Sequence, residues 1–132
     1  MRALLVCVAL LSAWGCQDQR GLPAEALERD RPVVESDPFE VMAIRVEGDS
    51  LVVEVGYGGG CRTHAFELAR KAPLVRSMPP KWPLDVVHRA DGDPCRAWIQ
   101  ERFAFDLVPF RASPRGVTVL LVGDTLLTYA YE

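Results

Sequence analysis

The sequence has only two histidines and four cysteines. Its 132 residues carry 15 Lys+Arg against 18 Asp+Glu, a formal net charge of −3. No Lys/Arg run stands out, which excludes the basic footprint of a nucleic-acid binder. No apolar stretch reaches the roughly 20 residues that a membrane-spanning helix needs. No serine lies in a G-x-S-x-G elbow. Gly58-Gly59-Gly60 opens no helix, so it forms no phosphate cradle. Asp91-Gly92-Asp93 lacks the other ligands of a calcium loop and reads as a plain turn. There is no internal repeat. These absences together predict a protein that is not an enzyme.

The N-terminus is the first positive signal. Arg2 supplies a positive end, and Ala3 to Trp14 are apolar except for Ser12. That run suits the core of a secretory signal. Gly15 precedes Cys16, and a small residue followed by cysteine at this place resembles a bacterial lipobox. The resemblance implies cleavage before Cys16, a thioether-linked diacylglycerol on its sulfur, and acylation of the palmitate kind. Ala13 and Trp14 depart from the usual leucine and small residue at those positions, which leaves ordinary cleavage without lipid as the alternative. Residues 1–15 are expected as signal peptide and 16–38 as lipidated cysteine plus flexible tether. The tether is polar, charged and punctuated by proline. Gln17 is not the aspartate that signals inner-membrane retention in some bacteria, so the outer membrane is favoured.

Subtraction then fixes the cysteines. Cys7 leaves with the signal peptide and Cys16 takes the lipid. Cys61 and Cys95 remain in an oxidising compartment, where a leftover pair forms a disulfide. Closing a loop of about 34 residues would add roughly 3–4 kcal/mol in the chain-entropy model.

From Phe39 onward, short alternating segments predict strands. Residues 40–48 place Met42, Ile44 and Val46 on one face. After a Gly48-Asp49 turn, Leu51, Val53, Val55 and Tyr57 share the next. His64, Phe66 and Leu68 are in phase, as are Leu84, Val86 and His88. Residues 95–110 read as a strand with Ile99, Phe103, Phe105 and Leu107 in phase, although 96–101 could equally form a helical turn. Two apolar runs around Gly123-Asp124 make a closing hairpin. The expectation for 39–132 is all-β: a small antiparallel Ig-like sandwich of about seven strands with one disulfide. Its predicted core holds Ile44, Val53, Val55, Phe66, Leu68, Val86, Phe103, Phe105, Val119 and Tyr129.

One cluster offers chemistry. Both histidines lie near both spare cysteines in sequence, and a Cys61–Cys95 bond would draw His64 and His88 together. The structural reading buries the imidazoles beside Asp93. A second reading is a Cys₂His₂ zinc site. A third is a site for zinc or another transition metal from His64, His88 and Asp93. Nucleophilic catalysis by Cys61 with His64 would need a free thiolate.

Two motifs carry a resemblance: Gly59-Gly60-Cys61-x-x-His64-x-Phe66-x-Leu68, and His88 followed by Asp93-x-Cys95. Phe105-Asp106-Leu107 is a weaker third. Together they resemble uncharacterised bacterial envelope lipoproteins, some of them similar to the C-terminal β-sandwich of NigD-like proteins. The resemblance covers roughly residues 50–110. It implies a sandwich and an envelope address, with no established activity. There is no room here for the separate N-terminal barrel of the NigD-like arrangement. The function expected is an exported lipoprotein with a non-enzymatic binding or structural domain. It needs no cofactor, and its membrane contact is the N-terminal lipid. No protein partner is legible.

Overall fold

A computed structural model describes residues 35–132. The signal segment, Cys16 and most of the tether lie outside the described residues. Seven strands run in order: β1 (Glu40–Glu47), β2 (Ser50–Gly59), β3 (Ala65–Arg70), β4 (Lys81–Arg89), β5 (Ala97–Asp106), β6 (Gly116–Val122) and β7 (Thr125–Tyr131). A 3-10 turn, Val108–Phe110, follows β5. The strands form a three-stranded sheet, β1-β2-β5, and a four-stranded sheet, β3-β4-β6-β7. The two pack as a sandwich, as the alternating pattern predicts.

The inner face of β2 supplies the centre. Leu51, Val53, Val55 and Tyr57 are buried and meet Leu84 and Val86 of β4, Leu120 and Val122 of β6, and Tyr129 of β7. Phe66, Leu68, Phe103 and Phe105 are partly buried around them. Burying an aliphatic or aromatic side chain of this size contributes about 1.5–3 kcal/mol each.

Glycine forms the hairpin turns where positive φ is needed. Gly48 (φ 58°) joins β1 to β2, and Gly123 (φ 56°) joins β6 to β7. Both turns bring the backbone into a region L-residues avoid. Residues 97–101 continue the strand, paired in register with Val55 to Gly59, so no helical turn forms there.

Three details differ from the alternating pattern. Met42 is 52% exposed, because a bulge between Val41 and Ala43 takes it out of register. A bulge inserts one residue and swings the following side chains to new faces. Val119 is only half-buried, whereas its neighbours Thr118, Leu120 and Val122 face inward. Parity counting treats Thr118 as outward because it is polar. Its hydroxyl is instead satisfied inside by Tyr131 Oη at 2.8 Å, and that fixes the phase of the whole strand. The third detail is that β4 pairs with β6 in parallel, from Lys81 with Val119 to Leu84 with Val122. The other named strand pairs are antiparallel.

The parallel pairing ends at Leu84, so β6 does not reach the second half of β4. Residues just before β1 cover that edge. The Asp37 amide donates to the His88 carbonyl at 2.9 Å. The His88 amide donates to Ser36 Oγ at 3.0 Å. The Ala90 amide donates to Asp37 Oδ2 at 2.6 Å. Ser36 to Pro38, assigned to the tether by composition, therefore bond to β4.

Candidate functional site

β2 and β4 end, and β3 and β5 begin, at one end of the sandwich. Cys61 lies just past β2 and Cys95 just before β5. Their Cα atoms are 5.7 Å apart and the sulfurs are bonded. That separation lies inside the range of about 4.4–6.8 Å usual for disulfides. The bridge ties the loop after β2 to the loop after β4.

Asp93 belongs to the loop after β4, and its carboxylate reaches across to the loop after β2. Its Oδ2 accepts the amides of Gly60, Cys61 and Arg62 at 2.9, 3.0 and 2.9 Å. His64 Nε2 donates to the same oxygen at 3.0 Å. Oδ1 accepts the Cys95 amide at 2.8 Å. Successive backbone amides turned to one point form an anion nest. Gly60, at φ 119°, makes the required turn. Burial opposes the charge on Asp93. The amides of Cys95, Arg62 and Cys61 and the His64 ring outweigh that opposition and hold the carboxyl well below the usual carboxylate range.

The histidines continue the chain. His64 Nδ1 lies 2.8 Å from His88 Nε2. His88 Nδ1 faces the carbonyls of Asp37 and Pro38 at 3.3 and 3.2 Å. The side chains of His64 and Asp93 are each 1% exposed, and His88 is 1% exposed. Gly59 makes room for this: a Cβ there would lie 2.5 Å from His64 Nε2. Tyr57 stacks on His64 with centroids 4.4 Å apart, and Phe66 stacks on His88 at 4.4 Å. Phe39 closes on His88 edge-on. The Tyr57 hydroxyl donates to Glu101 at 2.9 Å. Burial, then this bond, pushes it up to about 12.

Sharing a metal between these nitrogens would need a wider spacing. Two nitrogens sharing a tetrahedral zinc at about 2.0–2.1 Å would stand roughly 3.3 Å apart. The facing nitrogens here are at hydrogen-bond distance, and each ring nitrogen already meets a protein partner. Cys61, Asp93 and Cys95 place ligand-type atoms within 4.8 Å of one another, but the sulfurs are joined to each other and offer no thiolate. A bonded sulfur is also no nucleophile.

His64, His88, Asp93, Cys61 and Cys95, all singled out from the sequence, do come together. Cys16 lies outside the described residues. Composition did not point to Ser36, Asp37, Gly59 or Tyr57. For Tyr57 and Gly59 the signal was present as strand parity and the glycine run. For Ser36 and Asp37 there was none, since their role depends on where β6 stops.

No protein-family model and no curated protein matches the chain. Among solved structures, a protein described as toxin-related from Parabacteroides distasonis aligns at 19% identity with a TM-score of 0.47. The alignment covers 74% of this chain and 50% of that one, so the chain spans about half its length.

Proposed function

We propose that this chain is an exported lipoprotein, anchored through Cys16, whose sandwich is a non-enzymatic binding or structural module of the cell envelope. The observation that carries the reading is the Cys61–Cys95 bond joined to a buried Asp93–His64–His88 chain. The residues best suited to catalysis are all engaged in holding loops together. A disulfide in a small domain suits an oxidising compartment. The apolar run ending in Gly15-Cys16 supplies the address, and Gln17 favours the outer membrane. The likeness to the NigD-like C-terminal sandwich accords with this address.

The test is fractionation of an expressing bacterium fed labelled palmitate. Wild type should label and sediment with membranes, and Cys16→Ser should be unlabelled and released. A wild-type protein that is exported yet fully soluble and unlabelled would overturn the anchor. Elemental analysis of the same purified protein should find no stoichiometric metal.

A further inference from the structure

We propose that the Cys61–Cys95 bond governs how firmly the segment Ser36–Pro38, where the chain enters the sandwich, is held against β4. The coupling runs through Asp93, His64 and His88. It needs no lipid anchor, so its failure and the failure of the envelope reading are separate outcomes.

The route is continuous. Four of the five donors to Asp93 are backbone amides at the half-cystines or beside them: Gly60, Cys61 and Arg62 on one loop, Cys95 on the other. Asp93 in turn positions His64, and His64 positions His88. His88 meets the incoming segment by its ring and by its backbone: the ring faces the Asp37 and Pro38 carbonyls, and its amide and carbonyl bond Ser36 and Asp37. The element with two states is the segment itself, seated on β4 or lifted from it. A coupling claim needs such an element.

The chemistry balances with a dithiol reductant. Its thiolate attacks the sulfur of Cys61, which is the more exposed of the pair. A mixed disulfide forms and Cys95 leaves as thiolate. The second thiol of the reductant then displaces Cys61 and closes the reductant into its own disulfide. Two electrons pass to the protein, and the thiolates take up protons from water. The two loops are then no longer covalently tied. The amides around Asp93 lose their fixed spacing, and the His88 ring loses its support. The backbone bonds of Ser36 and Asp37 remain, but on a mobile partner.

Hydrogen exchange reads this directly in the purified chain, oxidised and after dithiothreitol. The reporters are the amides of Asp37, His88 and Ala90, each bonded across the segment. The controls are the amides of Val53 and Leu120 in the core. Reduction, verified by counting two thiols, should speed the reporters about tenfold, within the usual range of site-to-site coupling. The controls report global unfolding, so they should speed only by the whole-domain stability lost on reduction and remain slower than the reporters. Asp93→Asn with the bond intact should speed the same three amides, and reduction of that variant should then add little. Reporters that stay slow in reduced protein would overturn the proposal. So would reporters that exchange with the same free energy as the core in reduced protein, because they would then report only global unfolding. Full additivity of reduction and Asp93→Asn would show that the bond acts by another route.

Discussion

The two ends of β2 are held by different means. Beyond Gly59, a covalent bond and a carboxylate with five donors join the loops, with the charged group fully buried. At the end before Ser50 no bridge occurs among the described residues. There, Asp49 Oδ1 accepts the Tyr129 hydroxyl at 2.6 Å and Arg111 Nη2 at 2.7 Å. Arg111 Nε donates to Tyr129 Oη at 3.0 Å, and its guanidinium lies over the Tyr131 ring at 5.0 Å. Tyr129 is 0% exposed, but the Asp49 side chain is 53% exposed. One end is dry and stapled. The other is an ion-paired clasp half in water. The contrast teaches that a small sandwich can close its ends by either route, and that the two routes should answer differently to reductant, acid and salt.

The largest difference should come from the staple. Replacing both Cys61 and Cys95 by alanine should cost roughly 3–4 kcal/mol for a 34-residue separation in the chain-entropy model. Urea unfolding of the double variant against the oxidised parent measures it. A loss no larger than that from a clasp mutation would erase the contrast between the ends.

Acid should separate the ends next. Asp93 and Asp49 both hold their carboxyls below the ordinary range. For Asp93 burial resists, and the Cys95 amide, His64 and the other amides prevail. For Asp49 the Tyr129 hydroxyl and then Arg111 are responsible. In each case the unfolded chain binds more protons than the native one once pH drops below about 4, the free carboxylate value. The stabilisation is therefore complete above that point and is lost as pH falls toward the folded-state values. Asp93→Asn should flatten the fall of the urea midpoint between about pH 5 and 2.5. Asp49→Asn should flatten it less, because water already screens half of that side chain. Equal flattening would mean that burial does not distinguish them.

The stapled end was largely legible in the sequence and the clasp was not. Cysteine and histidine are scarce here, so their clustering stood out, and subtraction of Cys7 and Cys16 left one pairing. Asp93 was legible as a neighbour of Cys95, but its five donors were not, because amide direction depends on the turn at Gly60. Asp49, Arg111 and Tyr129 are common residue types spread over 80 positions. No local pattern links them, and only the sheet order brings them together. The strands themselves followed from period-2 alternation, as in β2, where Leu51, Val53, Val55 and Tyr57 share a face although Val52 on the other face is apolar and buried too. The rule failed in β6, where Thr118 is polar yet inward. It failed again at Met42, where a bulge resets the count. The parallel β4–β6 pair had no local signal, since pairing partners distant in sequence are chosen by the whole fold.

The smallest expected effect concerns the clasp alone. Tyr129→Phe keeps the ring in the core and removes only the hydroxyl that Asp49 accepts and Arg111 reaches. Hydrogen bonds to charged groups contribute about 1.5–3 kcal/mol when well enclosed. Half-exposure of Asp49 should bring this one down to about 1 kcal/mol, as for solvent-screened pairs. Because the cluster is open to water, part of even that should be sensitive to salt. At 1 M salt the screening length falls to about 3 Å, from about 10 Å at 0.1 M. The cost of Tyr129→Phe, measured by urea unfolding at both salt levels, should therefore shrink by a few tenths of a kcal/mol at high salt. The cost of Asp93→Asn should hardly move, because ions do not reach a carboxylate that is 1% exposed. If the Asp93 variant proves the salt-sensitive one, the assignment of dry and wet ends is reversed. If neither moves, the clasp is held by its neutral hydrogen bonds and by Tyr129 packing, and its charges contribute nothing measurable.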